Sequence, residues 1–201
     1  METELCELFE KNLSDKCPKV GHSYSPEYYN LLNENKNIYK NILEIGIGNN
    51  ELMKPFCGLN YNFGASLRAW SEFFQNANIF GLDIREDVLF NDKKISCFFT
   101  DQSNEVELEK TISEIKKYTN SQELKFDLIL DDGSHIYDHM VLSFKVLSKY
   151  VKINGLYIIE DIQNQYLQSF IDLKIDGFEI VKIHRGPNGI DDNFIAYKKI
   201  Y

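Results

Sequence analysis

Two hydrophobic periods alternate along the chain. Leu5, Leu8, Phe9 and Leu13 recur at helical spacing and predict a short amphipathic helix within residues 3–13. Tyr28, Leu31 and Leu32 do the same after Ser25-Pro26, where a capping serine and a proline at the first helical position mark a helix start. The continuous apolar run Asn41-Ile42-Leu43-Glu44-Ile45-Gly46-Ile47-Gly48 reads as a strand closing on glycines. Helical spacing returns in Leu67, Trp70, Phe73 and Phe74, a stripe that belongs in the core. Asn78–Asp83 and Ile95–Phe99 are the next strands, and Ser103 is a candidate cap for a helix to about residue 117. Phe126–Asp131 is the fourth strand, followed by a helix from about residue 137 to 150 that turns Met140, Phe144 and Leu147 inward. Asn154-Gly155 then turns the chain into a fifth strand, Leu156–Ile159. Tyr166, Leu167, Phe170 and Ile171 mark another helix. Residues 177–184 and 193–199 alternate in strand fashion around Gly186-Pro187-Asn188-Gly189, a hairpin signal.

Strands alternating with helices demand a parallel sheet joined by right-handed crossovers. The expected fold is therefore α/β and Rossmann-like, a mostly parallel seven-stranded sheet with helices on both faces and an antiparallel C-terminal hairpin. One domain over residues 1–201, with a helical cap over 1–37, suits the length. Residues 49–63 interrupt the rhythm. Rich in Asn and Gly, they read as an inserted loop, and loops of that size in compact domains are commonly lids or mobile segments.

Composition narrows the function. The chain is 43% hydrophobic and 13% aromatic, enough for a packed core, and its formal net charge is -9. That charge excludes a phosphate-backbone binder, which needs a positive footprint. No apolar run approaches the roughly 20 residues of a membrane span, and Met1-Glu2-Thr3-Glu4 is unlike a signal peptide, so a cytoplasmic protein is expected. Cys6, Cys17, Cys57 and Cys97 show no C-x-x-C spacing and read as reduced thiols.

Candidate chemistry sits at strand ends, where open α/β sheets bind ligands. Phe126-Asp127-Leu128-Ile129-Leu130-Asp131-Asp132-Gly133-Ser134-His135 delivers two carboxylates, a glycine turn and an imidazole to one edge, and Leu156–Asp161 ends likewise in Glu160-Asp161. Gly46 and Gly48 allow a ligand to approach the backbone. Asp83, closing the second strand, suits the hydroxyls of a ribose. An unpaired Glu44 in so apolar a strand is costly without a role. Each residue has a plainer alternative. Asp131 and Asp132 before glycine could begin a turn, His135 could be a solvent-facing helix-start residue, and Asp138 could simply favour the positive end of its helix. His139 suits a surface role, Asp191, Asp192 and Asn193 suit turn chemistry, and His22 and Tyr24 either fold over the site or lie in an exposed loop.

Taken together, Leu43-Glu44-Ile45-Gly46-Ile47-Gly48, Asp83, Asp101-Gln102 and Asp131 resemble class I S-adenosylmethionine-dependent methyltransferases. Gly64-Ala65-Ser66-Leu67-Arg68-Ala69-Trp70, Asp131-Asp132-Gly133-Ser134-His135 and Ile159-Glu160-Asp161 are similar, more narrowly, to the metal-dependent macrocin- and mycinamicin-type sugar O-methyltransferases. The resemblance implies Mg²⁺, or another divalent cation such as Mn²⁺, on Asp132, Glu160 and Asp161, with His135 as general base. It also implies S-adenosylmethionine with its ribose on Asp83, its adenine near Asp101 and Gln102, and its methionine end at Glu44, Gly46 and Ser66. Gly48, Asp131 and Tyr24 complete the implied cofactor contacts. The chain departs from that family in lacking a large N-terminal region, in the 49–63 segment and in a short glycine motif. The implied acceptor is thus a sugar hydroxyl of a polysaccharide or natural-product precursor, with no nucleic acid or membrane partner and a homo-oligomer allowed. A catechol-like acceptor is the alternative, and a nicotinamide-dependent oxidoreductase a more distant one, since Glu51 stands where a dinucleotide fingerprint needs its third glycine.

Overall fold

The strands β1 (Asn41–Ile45), β2 (Asn78–Asp83), β3 (Asn91–Asp92), β4 (Ile95–Phe99), β5 (Phe126–Asp131), β6 (Val151–Ile159), β7 (Phe178–Arg185) and β8 (Asn193–Lys199) form one sheet. Their order is β3-β4-β2-β1-β5-β6-β8-β7. The computed structural model describes residues 2–58, 61–187 and 190–201. From β4 to β6 neighbouring strands run parallel, whereas β8 runs antiparallel to both β6 and β7. Chain order reverses at β1, which pairs with β2 on one side and β5 on the other. Such a switch point opens a crevice at the carboxyl ends of the strands.

The central strands are apolar without alternation because helices cover both faces. Successive residues go to opposite layers. Ile42, Leu128 and Ile158 pack with Leu5 and Phe9 of α1 (Glu4–Asn12), Tyr28 of α2 (Ser25–Leu32) and Trp70 of α4 (Ala65–Phe73). Leu43, Ile129 and Tyr157 pack with Ile112 of α5 (Glu105–Thr119), Phe144 of α6 (Tyr137–Leu147) and Phe170 of α7 (Asn164–Asp172). β7, at the sheet edge, alternates half-buried and exposed positions. Among the described residues no helix is long and apolar enough to cross a membrane, and the four cysteines are free thiols.

Five local expectations are corrected. Residues 49–63 are not wholly loop: α3 (Asn50–Cys57) forms because the Asn49 side chain accepts from the N–H groups of Glu51 and Leu52. Leu59 and Asn60 of that segment lie outside the described residues, as do Asn188 and Gly189 of the expected hairpin turn. Ser25 is not a cap, since Tyr24 holds that position and the Ser25 hydroxyl donates to Cys6 Sγ at 3.1 Å. Asn104 rather than Ser103 caps α5, because the Ser103 hydroxyl is engaged by Asp101 at 2.7 Å. Asn154-Gly155 is a bulge inside β6, not a turn before it, with Asn154 at φ 66° and the register to β5 shifting between Phe126 and Leu128. Finally, the two-residue β3 brings the strand number to eight.

Candidate active site

The crevice at the carboxyl edge is a cavity of about 930 Å³ bounded by the ends of β1, β2, β4 and β5, with α3 on its outer rim. Gly46, at φ 94°, makes its floor. A Cβ there would run into the Asp132 carbonyl, so only glycine lets β1 pass this close to the turn after β5. The two strand ends are also tied, the Asp132 N–H donating to the Ile45 carbonyl at 2.9 Å. Asp83 is aimed by backbone alone, accepting from the N–H of Ile47 and of Arg85, each at 2.9 Å.

Beyond β5 and β6 the cavity wall is acidic. Asp132 Oδ1 lies 3.2 Å from His135 Nε2, and Asp161 Oδ2 lies 3.8 Å from His135 Nδ1. Asp132, His135 and Asp161 each offer a ligand atom within 4.8 Å of the others, a spacing that one metal ion can bridge. Two of these three have left-handed backbone, His135 at φ 54° and Asp161 at φ 50°. Such conformations cost on the order of 1–3 kcal/mol each and collect at functional sites. The Tyr24 hydroxyl donates to Asp161 Oδ1 at 2.6 Å, and the His22 ring stacks on Tyr24 with its Nε2 3.6 Å from Asp161.

Lys16, between α1 and α2, enters this cluster from behind. Its Nζ is 2.5 Å from Asp132 Oδ2, 2.5 Å from Glu160 Oε2 and 3.4 Å from Glu44 Oε1. Burial opposes the charge of both Lys16 and Asp132, yet mutual attraction prevails. Lys16 is held above the ordinary lysine value and Asp132 below the usual carboxylate range. Burial pushes Glu44 up to about 7 and Asp161 up to about 6, against the pull of Lys16 on the first and His135 on the second. For His135, burial works downward but is outweighed by Asp132, with Asp161 and Asp131 adding to it, and the ring rises to about 9. Among the described residues, neither oxygen of Glu44, nor Glu160 Oε1, has a hydrogen-bond partner. Glu44, Asp132 and Glu160 thus share one lysine, and Asp161 joins Asp132 around His135, which supplies hard carboxylate oxygens suited to Mg²⁺ or Mn²⁺.

Most of the residues singled out in the sequence face the cavity. Gly46, Gly48, Ser66 and Asp83 line one part, Asp101 and Gln102 another, and Asp132, His135 and Asp161 a third. Tyr24, Glu44, Asp131 and Glu160 do not: each is buried behind the wall. Asp131 accepts from Gln102 Nε2 at 2.5 Å and from the Tyr157 hydroxyl at 3.2 Å, and burial lifts it to about 7. Through these bonds it supports the loop that follows β5. Gln102 completes that support, its Oε1 accepting from the Ser134 N–H at 2.9 Å. Tyr24 supports Asp161 in the same way, and Glu160 meets Asp132 across Lys16 Nζ.

The remaining candidates take varied places. His139 faces the cavity and pairs with the Ser134 hydroxyl at 3.1 Å, Asp138 is exposed in the first turn of α6, and Asn193 donates to the Ile162 carbonyl at 2.7 Å. Asp192 receives the Ser23 N–H and hydroxyl, each at 3.0 Å, which draws the His22 loop over the site. Sequence reasoning missed Lys16 and the cavity-facing Asp15, since a loop without hydrophobic period carries no signal for them.

No protein-family model matches the chain. It is 33% identical over 167 residues to the demethylmacrocin O-methyltransferase of Streptomyces fradiae, covering 83% of this chain and 38% of that protein. It is 35% identical over 155 residues to the mycinamicin VI 2''-O-methyltransferase of Micromonospora griseorubida, covering 76% of this chain and 35% of that one. The chain therefore spans little more than a third of the length of these relatives. The MycE methyltransferase of the mycinamycin biosynthetic pathway, solved in complex with Mg and SAH, superposes with a TM-score of 0.72 at 25% identity. That match covers 100% of this chain and 55% of the other.

Proposed function

The chain belongs to the macrocin- and mycinamicin-type sugar O-methyltransferases, and from that premise we propose that it transfers a methyl group from S-adenosylmethionine to a sugar hydroxyl with the help of a divalent cation. The observation that carries this is the grouping of Asp132, His135 and Asp161 within 4.8 Å beside a glycine-floored cavity. Asp132 and Asp161 would hold the cation, with Glu160, whose Oε1 has no hydrogen-bond partner among the described residues, as the third carboxylate. Bound there, Mg²⁺ or Mn²⁺ supplies Lewis acidity that lowers the pKa of an acceptor hydroxyl.

The remaining work falls to the protein. Asp83 takes the ribose hydroxyls, Asp101 lies toward the adenine, and the Gly46–Gly48 turn with Ser66 takes the methionine end. His135 accepts the acceptor's proton as the hydroxyl oxygen bonds to the methyl carbon and the carbon–sulfur bond breaks. Its high proton affinity comes partly from Asp132 and Asp161, so engaging those carboxylates brings the ring back toward neutrality at pH 7. Fixing both reactants in one cavity contributes much of the rate.

The acceptor's class is supported by the rim. Exposed Leu52, Phe56 and Ile84 stand at the mouth beside the polar floor, which suits a sugar carried on a less polar body. The relatives above are named for demethylmacrocin and mycinamicin VI as their acceptors. Calorimetric titration with S-adenosylmethionine and NADH, followed by a methylation screen of glycosylated compounds read by mass, tests the proposal. Heat from S-adenosylmethionine alone and metal-dependent methylation of a sugar are expected; heat from NADH alone would overturn it.

A further inference from the structure

Nothing in the proposed chemistry uses Lys16, although it is the most enclosed cation beside the site, 1% exposed. It is not a stray side chain. Its own carbonyl accepts from the Ser25 N–H at 2.9 Å, and the next residue's carbonyl accepts from Val20 and Gly21 at 3.0 and 2.9 Å, so the loop that carries it is tied to the start of α2 and to itself. The ammonium lies 2.5 Å from one oxygen of Asp132 and 2.5 Å from one of Glu160. That places a positive charge between two carboxylates from two different strands, where an ion bridging the same oxygens at about 2.0–2.6 Å would also sit. One region cannot hold both.

We infer that Lys16 is a tethered counter-ion of the metal site, holding Asp132 and Glu160 together in the metal-free protein and yielding at least one of them when a divalent cation binds. The inference rests on the proposed metal reading and adds a competitor to it. Clustered buried acids are strongly unfavourable without a compensating charge. A lysine on a flexible stem meets that need and can withdraw, as a planar guanidinium could not so readily. Metal affinity is then set by exchange, so the lysine makes the fold independent of metal and the metal weaker.

The test compares the full chain with Lys16→Met, which keeps an unbranched apolar stem and removes the charge, and with Lys16→Arg, which keeps it. Mn²⁺ binding is followed by electron paramagnetic resonance, and melting is followed in EDTA and in Mn²⁺. Lys16→Met is expected to bind Mn²⁺ roughly tenfold or more tighter than the parent, the scale on which one close charge shifts a neighbour's equilibrium. It is also expected to melt lower in EDTA and to recover in Mn²⁺, whereas Lys16→Arg is expected to melt near the parent in EDTA and to bind Mn²⁺ no more tightly than the parent. Unchanged or weaker Mn²⁺ binding by Lys16→Met would make the lysine structural and overturn the inference. Should that variant fail to fold, a Mn²⁺-soaked crystal of the parent decides. Withdrawal of Nζ from Asp132 or Glu160 is expected, and a bound ion with both contacts intact would overturn it. Absence of Mn²⁺ binding by the parent itself would remove the metal proposal, and this inference with it.

Discussion

The two ends of the cavity are built by opposite means. At the β5–β6 end every functional group is a side chain held by other side chains: Asp132 by Lys16 and His135, Asp161 by Tyr24, the loop between them by Gln102 and Asp131. At the β1–β2 end the backbone does the holding, through the left-handed Gly46 and the N–H groups that aim Asp83. The first end is an electrostatic device, sensitive to one charge. The second is a steric one, sensitive to one methyl group. Charge changes should therefore strike chemistry and metal binding at one end, and added volume should strike cofactor binding at the other.

The largest separation is expected from Asp132→Ala, which should abolish methyl transfer while leaving S-adenosylmethionine affinity within a few-fold in calorimetry. Equal loss of cofactor affinity would show that the ends are not separate. Circular dichroism should accompany it, because removing one partner of a buried pair costs about 3–5 kcal/mol. Next comes His135→Ala, with kcat reduced by roughly 10²–10⁴ and recovery toward high pH, where the acceptor ionises unaided. An unaffected kcat would leave His135 without a part in proton transfer. Gly46→Ala should act in the opposite sense, weakening cofactor binding and costing about 2–5 kcal/mol from its left-handed backbone and the clash with Asp132. Retained affinity in that variant would contradict the close approach seen in the structure.

The smallest effect is a pH dependence. Asp131 titrates near 7 in the folded protein, well above its ordinary value of 3.8, because it is buried. A raised folded value means that its contribution is fully present below about pH 4 and is lost as pH rises through 7. Asp131→Asn removes that loss. The melting temperature of the variant should gain on the parent between pH 5 and pH 8, by an amount corresponding to on the order of 2–4 kcal/mol. A constant difference across that range would contradict a folded value near 7.

Legibility in the sequence followed the same division. The strands were plain because burial on both faces leaves uninterrupted apolar runs, and the acids at their tips were plain because ionisable groups have no other reason to end such runs. What a strand tip does not disclose is direction. Consecutive residues point to opposite faces, so Asp131 turns to Gln102 and Tyr157 while Asp132 turns to Lys16 and His135, and Glu160 and Asp161 part in the same way. The side to which each acid turns was for that reason not legible in the pair itself. α3 was hidden by Pro55 and by a single apolar cluster, Leu52, Met53 and Phe56, too short to display a period. Lys16 was hidden because its partners lie 116 and 144 residues away along the chain.

The most direct measurement is Mn²⁺ binding to the full chain and to the double variant Asp132→Asn/Asp161→Asn, with S-adenosylmethionine binding recorded on both. The expected result is one ion per chain in the parent, none in the variant, and cofactor binding in each. An ion bound equally well after both carboxylates are neutralised would contradict a metal centre at the end of β5 and β6.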